Sequence, residues 1–341
     1  MKMEDSTGLE IQKTEQDTSL RLELHKLTEQ AKNYIQQSRA ENTYKSYRVN
    51  WNDFEAWCRT HHLQSLPAEP ETVALYITDL ATRGKKASTI QRRLSTISQR
   101  HQSAGYETPT THSTVKNAWR GIRRTIGVAE HGKAPFLIED IRRMVRSQSM
   151  RTKAGIRNRA LLLIGFAGAF RRSELVGLDV EDLDFRDEGL VITVQRSKTD
   201  QEGQGLLKGI PYGSDRDTCP IRSLQLWLET AGITSGAIFR SVNKGDKVIL
   251  HRRRNGEVVE ARLGGRDVAR IVKKCAQRAG LDPQRYAGHS LRAGFATTAA
   301  ERQVPEQEIM DQTGHKSLLM LRRYIRKGSV LKNNAAAKIG L

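Results

Sequence analysis

Apolar residues in the first third of the chain recur at three- and four-residue steps, so the segment 29–127 reads as helical throughout. Tyr44, Tyr47, Trp51, Phe54 and Trp57 make an aromatic stripe along one helix. Such a stripe could stack nucleic-acid bases, but its spacing favours the core of a helix bundle. Pro67 and Pro70 interrupt the pattern, and a second helix is expected over 71–81. Ser88 or Thr89 is placed to N-cap a basic helix over 90–97, with Ile90, Leu94 and Ile97 on its inner face. Residues 1–28 start polar and then carry Leu20, Leu22, Leu24 and Leu27, which reads as a flexible extension leading into the first helix.

The pattern changes after Gly127. Residues 128–134 read as a linker, and Pro135 opens a second region whose first helix is expected over 136–150. Residues 157–170 are nearly all apolar after Arg159, as in a helix buried at the centre of a domain, and Arg171 follows at its end. Alternation in 190–194, a polar stretch and a returning run to Tyr212 predict a β-hairpin, with Lys198 at the tip of its first strand. Asn255-Gly256 signals a second hairpin, between 248–254 and 257–263. An amphipathic basic helix led by Arg266 is expected over 266–279.

Charge narrows the partner. The 341 residues include 57 Lys+Arg against 38 Asp+Glu, a formal net charge of +19. A surplus of this size favours a polyanion, although a ribosomal or other basic binding protein would share it. Gln91, Arg92 and Arg93, on the outer face of the 90–97 helix, suit base edges in a major groove as well as they suit solvent. Cys58, Cys219 and Cys275 form no ligand pattern and are expected as free thiols, Cys58 in a core. The polar N-terminus and the lack of a long apolar run lead to the expectation of a soluble intracellular protein with no membrane partner.

The chemistry gathers late in the chain. His289 and Arg292 lie three apart at the start of an expected helix and so share a face. Pro305 can start the next helix, Gly314 can end it in a left-handed turn, and His315 follows at once. Ser317 can cap a last helix over 318–325, which carries Tyr324. With Arg171 and Lys198 these residues suit attack on a phosphodiester. Guanidinium forks hold a phosphate and spread the charge of its transition state, and a tyrosine hydroxyl can be joined covalently to phosphorus. Each motif alone is common. His251, His289 and His315 show no close-spaced metal-ligand pair, so no metal or other cofactor is expected.

The ordered set Arg171, Lys198, His289-x-x-Arg292, Gly314-His315 and Tyr324 resembles the tyrosine recombinase (phage integrase) family, and the likeness covers about residues 40–330. It implies a mainly α fold with a small antiparallel β-sheet. A helical core-binding (SAM-like) DNA-binding domain over 29–127 and an α-rich catalytic domain over 135–329 would form a C-shaped clamp on DNA. Tyr324 would be the nucleophile, Arg171 and Arg292 the phosphate clamp, and Lys198 the general acid for the leaving 5′-oxygen. His289 would be the base or proton shuttle, His315 a donor to a non-bridging oxygen, and Glu174 the carboxylate behind the first arginine. Some members have tryptophan where this chain has His315, which alters a hydrogen bond and leaves the chemistry intact. Arg266 matches a major-groove arginine in position, and Ser88 and Arg92 match N-terminal contacts.

The resemblance also implies a site-specific recombinase acting through a 3′-phosphotyrosine and a Holliday junction. Its partner would be double-stranded DNA carrying an inverted-repeat site, with a monomer in free solution and a homotetramer on synapsed sites. The apolar tail 330–341 would dock on a neighbouring protomer. A cytoplasmic, nucleoid-associated enzyme encoded by a bacterium, a phage or a mobile element is expected, too short at its N-terminus for an arm-binding domain. Two alternatives stay open: a catalytically silent DNA-binding protein on the same fold, and nicking and rejoining like that of a type IB topoisomerase.

Overall fold

A computed structural model describes residues 20–31, 33, 34, 41–128, 133–195, 205–252, 256 and 258–322. The chain divides into two compact units, Met1–Glu130 and His131–Leu341. No helix among the described residues is long and apolar enough to cross a membrane.

The first unit is a helical bundle of α1 (Glu41–Thr60), α2 (Pro70–Thr82), α3 (Ala87–Ser103) and α4 (Ser113–Ile126). The aromatic stripe supplies its core only in part. Phe54 and Trp57 are buried with Val73, Tyr76, Ile77, Leu80, Ile90, Leu94 and Ile97, and Trp51 packs at the edge. Tyr44, two turns earlier on α1, is exposed, because the packed part of α1 begins below it. Trp57 satisfies its indole N–H on Asp79 Oδ2 at 2.8 Å. His101 is fully buried and accepts from the Ala68 backbone N–H through Nε2 at 2.8 Å. Its Nδ1 therefore carries the hydrogen and donates to Ile97 O at 2.9 Å, and burial holds the ring below the usual imidazole pKa.

Neither Ser88 nor Thr89 caps α3. The helix starts one turn earlier, where Lys86, extended at ψ 146°, offers its carbonyl to the N–H groups of Thr89 and Ile90. Both expected cap residues thus sit inside the first turn.

The second unit is built around α6 (Lys153–Ala167), with α5 (Ile138–Arg146), α8 (Pro220–Ala231) and α10 (His289–Glu301) packed on it. Thr152 caps α6 by accepting from Gly155 N–H, and Asp246 accepts from Lys153 and Ala154 N–H. Three polar residues are buried in its first half. Arg159 reaches Val145 O and Asp217 O, and Arg157 reaches Asn158 Oδ1 and Arg240 O, so the guanidiniums tie loops to the central helix. α5 is shorter than expected, because Phe136 is spent on Ser290 O and the chain leaves the helix at Ser147.

The first hairpin forms as expected, from β2 (Gly189–Val194) and β3 (Leu206–Pro211), with Val191 opposite Gly209. A third strand that the sequence reading missed, β1 (Leu183–Phe185), completes the antiparallel order β1-β2-β3. The second hairpin, β4 (Leu250–Arg252) with β5 (Val258–Glu260), is shorter than expected. Its flanks share their bonds with a further segment: Ala261 N–H donates to Ile249 O, while Ile249 N–H donates to Ser241 O and Leu263 N–H to Phe239 O. The remaining helices are α7 (Arg172–Gly177), α9 (Gly265–Arg278) and α11 (Glu306–Thr313), and residues 318–322 are helical. α11 begins at Glu306 with Pro305 as its cap, one residue later than the sequence suggested.

Candidate active site

The site starts where α6 stops. Gly168 lies so flat on the Phe170 ring that a Cβ there would sit 2.1 Å from it, and Ala169 is held at φ 47°. A left-handed alanine stores backbone strain, which the surrounding bonds must hold in place. The turn delivers Arg171 in extended conformation ahead of α7. Glu174, its side chain only 1% exposed, accepts from the Arg171 backbone N–H at 2.8 Å and from Arg171 Nη1 at 2.5 Å. One buried carboxylate thus fixes both ends of the arginine.

Arg292 comes to the same turn from α10. Its Nη1 donates to Ala169 O at 2.9 Å, and the residue is almost wholly buried. α10 lies close to α6 at Gly165, where a Cβ would sit 2.9 Å from Leu291, and Gly294 lets its other side rest on Phe136 O, 1.9 Å from where a Cβ would be. His289, one turn before Arg292 on this helix, is exposed.

The third approach is from α11. Gly314 ends it at φ 63°, and its carbonyl accepts from Arg171 Nη2 at 3.4 Å. His315 follows, half-buried, with Nδ1 2.8 Å from Thr313 Oγ1. Thr313 Oγ1 also lies 2.6 Å from Ile309 O, and that contact between two oxygens requires the hydroxyl proton. The threonine oxygen then accepts from Nδ1–H, and in the neutral ring Nε2 is the acceptor. Desolvation, followed by the charges of Arg292, Arg171, Lys208 and His289, lowers the His315 pKa to about 4. The site is strongly electropositive, and an anion placed in it would reverse that shift.

Arg171, Glu174, Arg292 and His315 are therefore brought together, with His289 close enough to act on His315 electrostatically. Lys198, Tyr324 and the tail 330–341 lie outside the described residues. In the first unit Ser88, Gln91 and Arg92 are exposed on α3, as is Arg266 at the start of α9 in the second unit. Arg93 is a correction. It pairs with Asp53 and donates to Val49 O and Asn50 O, so it fastens α3 to α1 instead of facing outward. Its position beside Arg92 hid this, because the acid it meets lies forty residues away.

The sequence reading also missed Lys208, Gln312 and Thr313, which brace the site. For Lys208 a signal was present: strand alternation puts it on the inner side with Ile210, an odd place for a lysine. No cluster of metal-binding side chains occurs among the described residues.

Comparisons with known proteins agree on one group. The profile of the phage integrase family matches residues 137–329, and that of the phage integrase N-terminal SAM-like domain matches residues 30–107. An integrase/recombinase XerD homolog of Selenomonas ruminantium is 42% identical over 313 residues, spanning 91% of this chain and 89% of its own. The recombinase Cre of Escherichia phage P1 is 26% identical over 301 residues, 85% of each chain. A lambda integrase dimer bound to a COC' core site matches with TM-score 0.55 and 16% identity over 88% of this chain and 76% of its own. The Tn1549 transposon integrase bound to transposon right-end DNA gives TM-score 0.55 and 16% identity over 88% and 93%. At these identities the two structures establish the fold.

Proposed function

Because this chain belongs to the phage integrase family, we propose that it is a site-specific DNA recombinase in which Tyr324 attacks the scissile phosphate held by Arg171 and Arg292. The observation that carries the reading is the convergence of both guanidiniums on the Gly168–Arg171 turn, one held by Glu174 and the other by Ala169 O. Two planar cations fixed by the protein meet a developing phosphorane charge without reorganising at the moment of reaction.

The bond from Tyr324 Oη to phosphorus forms as the bond from phosphorus to the 5′-oxygen breaks. The tyrosine proton passes towards His289, and Lys198 supplies a proton to the leaving oxygen. The products are a 3′-phosphotyrosine and a free 5′-hydroxyl. His315 takes up a proton as the bound phosphate offsets the arginine charges, and then donates through Nε2 to a non-bridging oxygen. Phosphodiester energy is kept in the phosphotyrosine, so the cycle requires neither a nucleotide nor a metal. A 5′-hydroxyl from a partner duplex reverses the step, and exchange of one strand pair gives a Holliday junction. The DNA partner is a duplex with an inverted-repeat core site, synapsed by a homotetramer in which residues 330–341 dock on the neighbouring protomer. Ser88, Gln91, Arg92 and Arg266 are the groove and backbone contacts.

Nicked suicide duplexes built from DNA flanking the gene test the reading, incubated with EDTA and resolved in SDS. Wild-type protein is expected to give a covalent adduct, and Tyr324→Phe to bind the duplex without one. An adduct formed by Tyr324→Phe would overturn the assignment. A specific complex with no adduct from wild type would identify a silent DNA-binding protein.

A further inference from the structure

Lys208, on the edge strand β3, is paired opposite Ile192 of the central strand and is 1% exposed. Its Nζ donates to Gly168 O at 2.8 Å and to Gln312 O, and lies 5.1 Å from the centre of the Phe170 ring. Both carbonyls belong to segments that deliver the site. Gly168 opens the turn carrying Ala169, whose carbonyl holds Arg292, and leads to Arg171. Gln312 precedes Gly314, whose carbonyl meets Arg171, and leads to His315. The Gln312 side chain closes the same knot from the other side, donating to Ala167 O at 2.8 Å and Gly209 O at 3.2 Å.

Burying an ammonium is unfavourable. Desolvation, with Arg292 and Arg171 nearby, draws the Lys208 pKa down to about 7, against an opposing pull from Glu174. An apolar side chain would fill this inward strand position without that cost, so packing does not account for lysine here. What lysine adds is a donor to carbonyls on two separate segments. With its amine on those carbonyls and against a ring, the group acts on the protein rather than on a substrate.

We propose that Lys208 is a positioning residue, whose buried amine locks the Gly168–Arg171 turn to the Gln312–His315 turn so that Arg171, Arg292 and His315 address one phosphate. The inference rests on the recombinase reading for its function, and on the two carbonyl bonds for its geometry.

Full-length Lys208→Met and Lys208→Arg proteins test it by single-turnover cleavage at saturating suicide duplex, beside half-site affinity. Lys208→Met is expected to slow cleavage by about tenfold to a hundredfold, because small misplacements of catalytic groups cost that much. Its DNA affinity should stay within about twofold, since no phosphate contact is lost. Lys208→Arg should recover part of the rate. Cleavage at the wild-type rate by a folded Lys208→Met, or parallel loss of affinity and rate, would overturn the proposal. If Lys208→Met does not fold, Lys208→Gln, a shorter neutral donor that cannot hold both carbonyls, should show the same split between rate and affinity; no split would overturn it.

A readout independent of activity separates this inference from the reaction assigned above. In histidine NMR, Lys208→Met should raise the titration midpoint of His315, because the lysine charge is one of those lowering it. An unmoved midpoint would count against the inference even if wild type forms the adduct. A raised midpoint would support the placement of the buried Lys208 amine beside His315 even if wild type forms none.

Discussion

Each unit contains an arginine joined to a carboxylate, and the two pairs serve different ends. In the first unit Arg93 meets Asp53, whose side chain is 40% exposed, and its Nη1 donates to carbonyls of α1. The pair links two helices that already share an aromatic core. In the second unit Glu174 is buried, and it holds the backbone and the guanidinium of Arg171 on a strained turn. Helix-to-helix arginines add to a packing that hydrophobic residues largely determine. An arginine on a turn depends on its carboxylate for its place.

Glu174→Ala should therefore have the largest effect. Cleavage is expected to fall by about 10²–10³, the usual loss for a misplaced transition-state donor. Stability should fall as well, by about 3–5 kcal/mol, as when one partner of a buried pair is removed. Asp53→Ala should leave cleavage at saturating DNA unchanged and cost less stability than Glu174→Ala, because the 40% exposed carboxylate is screened by solvent. Single-turnover cleavage and urea denaturation of both variants check the contrast. If Asp53→Ala slows cleavage as much as Glu174→Ala, the distinction between the two pairs is lost.

The units also differ in how tightly their helices pack, and two mid-helix glycines measure it. A Cβ at Gly121 on α4 would meet nothing within 4 Å, whereas one at Gly294 on α10 would strike Phe136 O. Gly121→Ala is expected to stabilise by about 0.5–1 kcal/mol through helix propensity. Gly294→Ala should destabilise by at least about 1–3 kcal/mol, since the clash is with backbone that cannot rotate aside. Opposite shifts in the urea midpoint would confirm the difference. Shifts of one sign would remove it.

Two histidines carry the comparison into pH. His101 and His315 both have folded pKa values below the ordinary 6.5. Below about pH 6.5 the unfolded chain takes up protons that the folded chain refuses, so stability declines with falling pH, for His315 until about pH 4. Their responses to DNA should diverge. A phosphate in the site favours the charged form of His315, while His101 is held by Ala68 and Ile97 within its own bundle. Histidine NMR with and without a half-site duplex should show the His315 midpoint rising and that of His101 unmoved.

These contrasts explain what the sequence made legible. Helices set by periodic apolar residues were readable wherever burial follows the period, as for Ile90, Leu94 and Ile97. The spacing of Arg171, His289, Arg292 and His315 singled them out as a set, and the structure brings Arg171, Arg292 and His315 together. The bracing was not, since Lys208 finds its partners 40 and 104 residues away along the chain. Tyr44 and the α3 cap failed for a related reason. Local pattern gives a helix its face, while where packing begins and which residue starts the first turn depend on neighbours distant in sequence.

The smallest expected effect distinguishes two adjacent residues. Arg92 lies exposed on α3, its Nε on Ser88 O, while the guanidinium of Arg93 is turned inward to Asp53. If the exposed face meets a DNA backbone, Arg92→Ala removes one neutralised phosphate. The slope of log affinity against log salt should then become shallower by about 0.9. Arg93→Ala should leave that slope unchanged and lower the denaturation midpoint, since the charge it removes is already committed to Asp53. A changed slope for Arg93→Ala, or an unchanged one for Arg92→Ala, would place the DNA on a different face of α3.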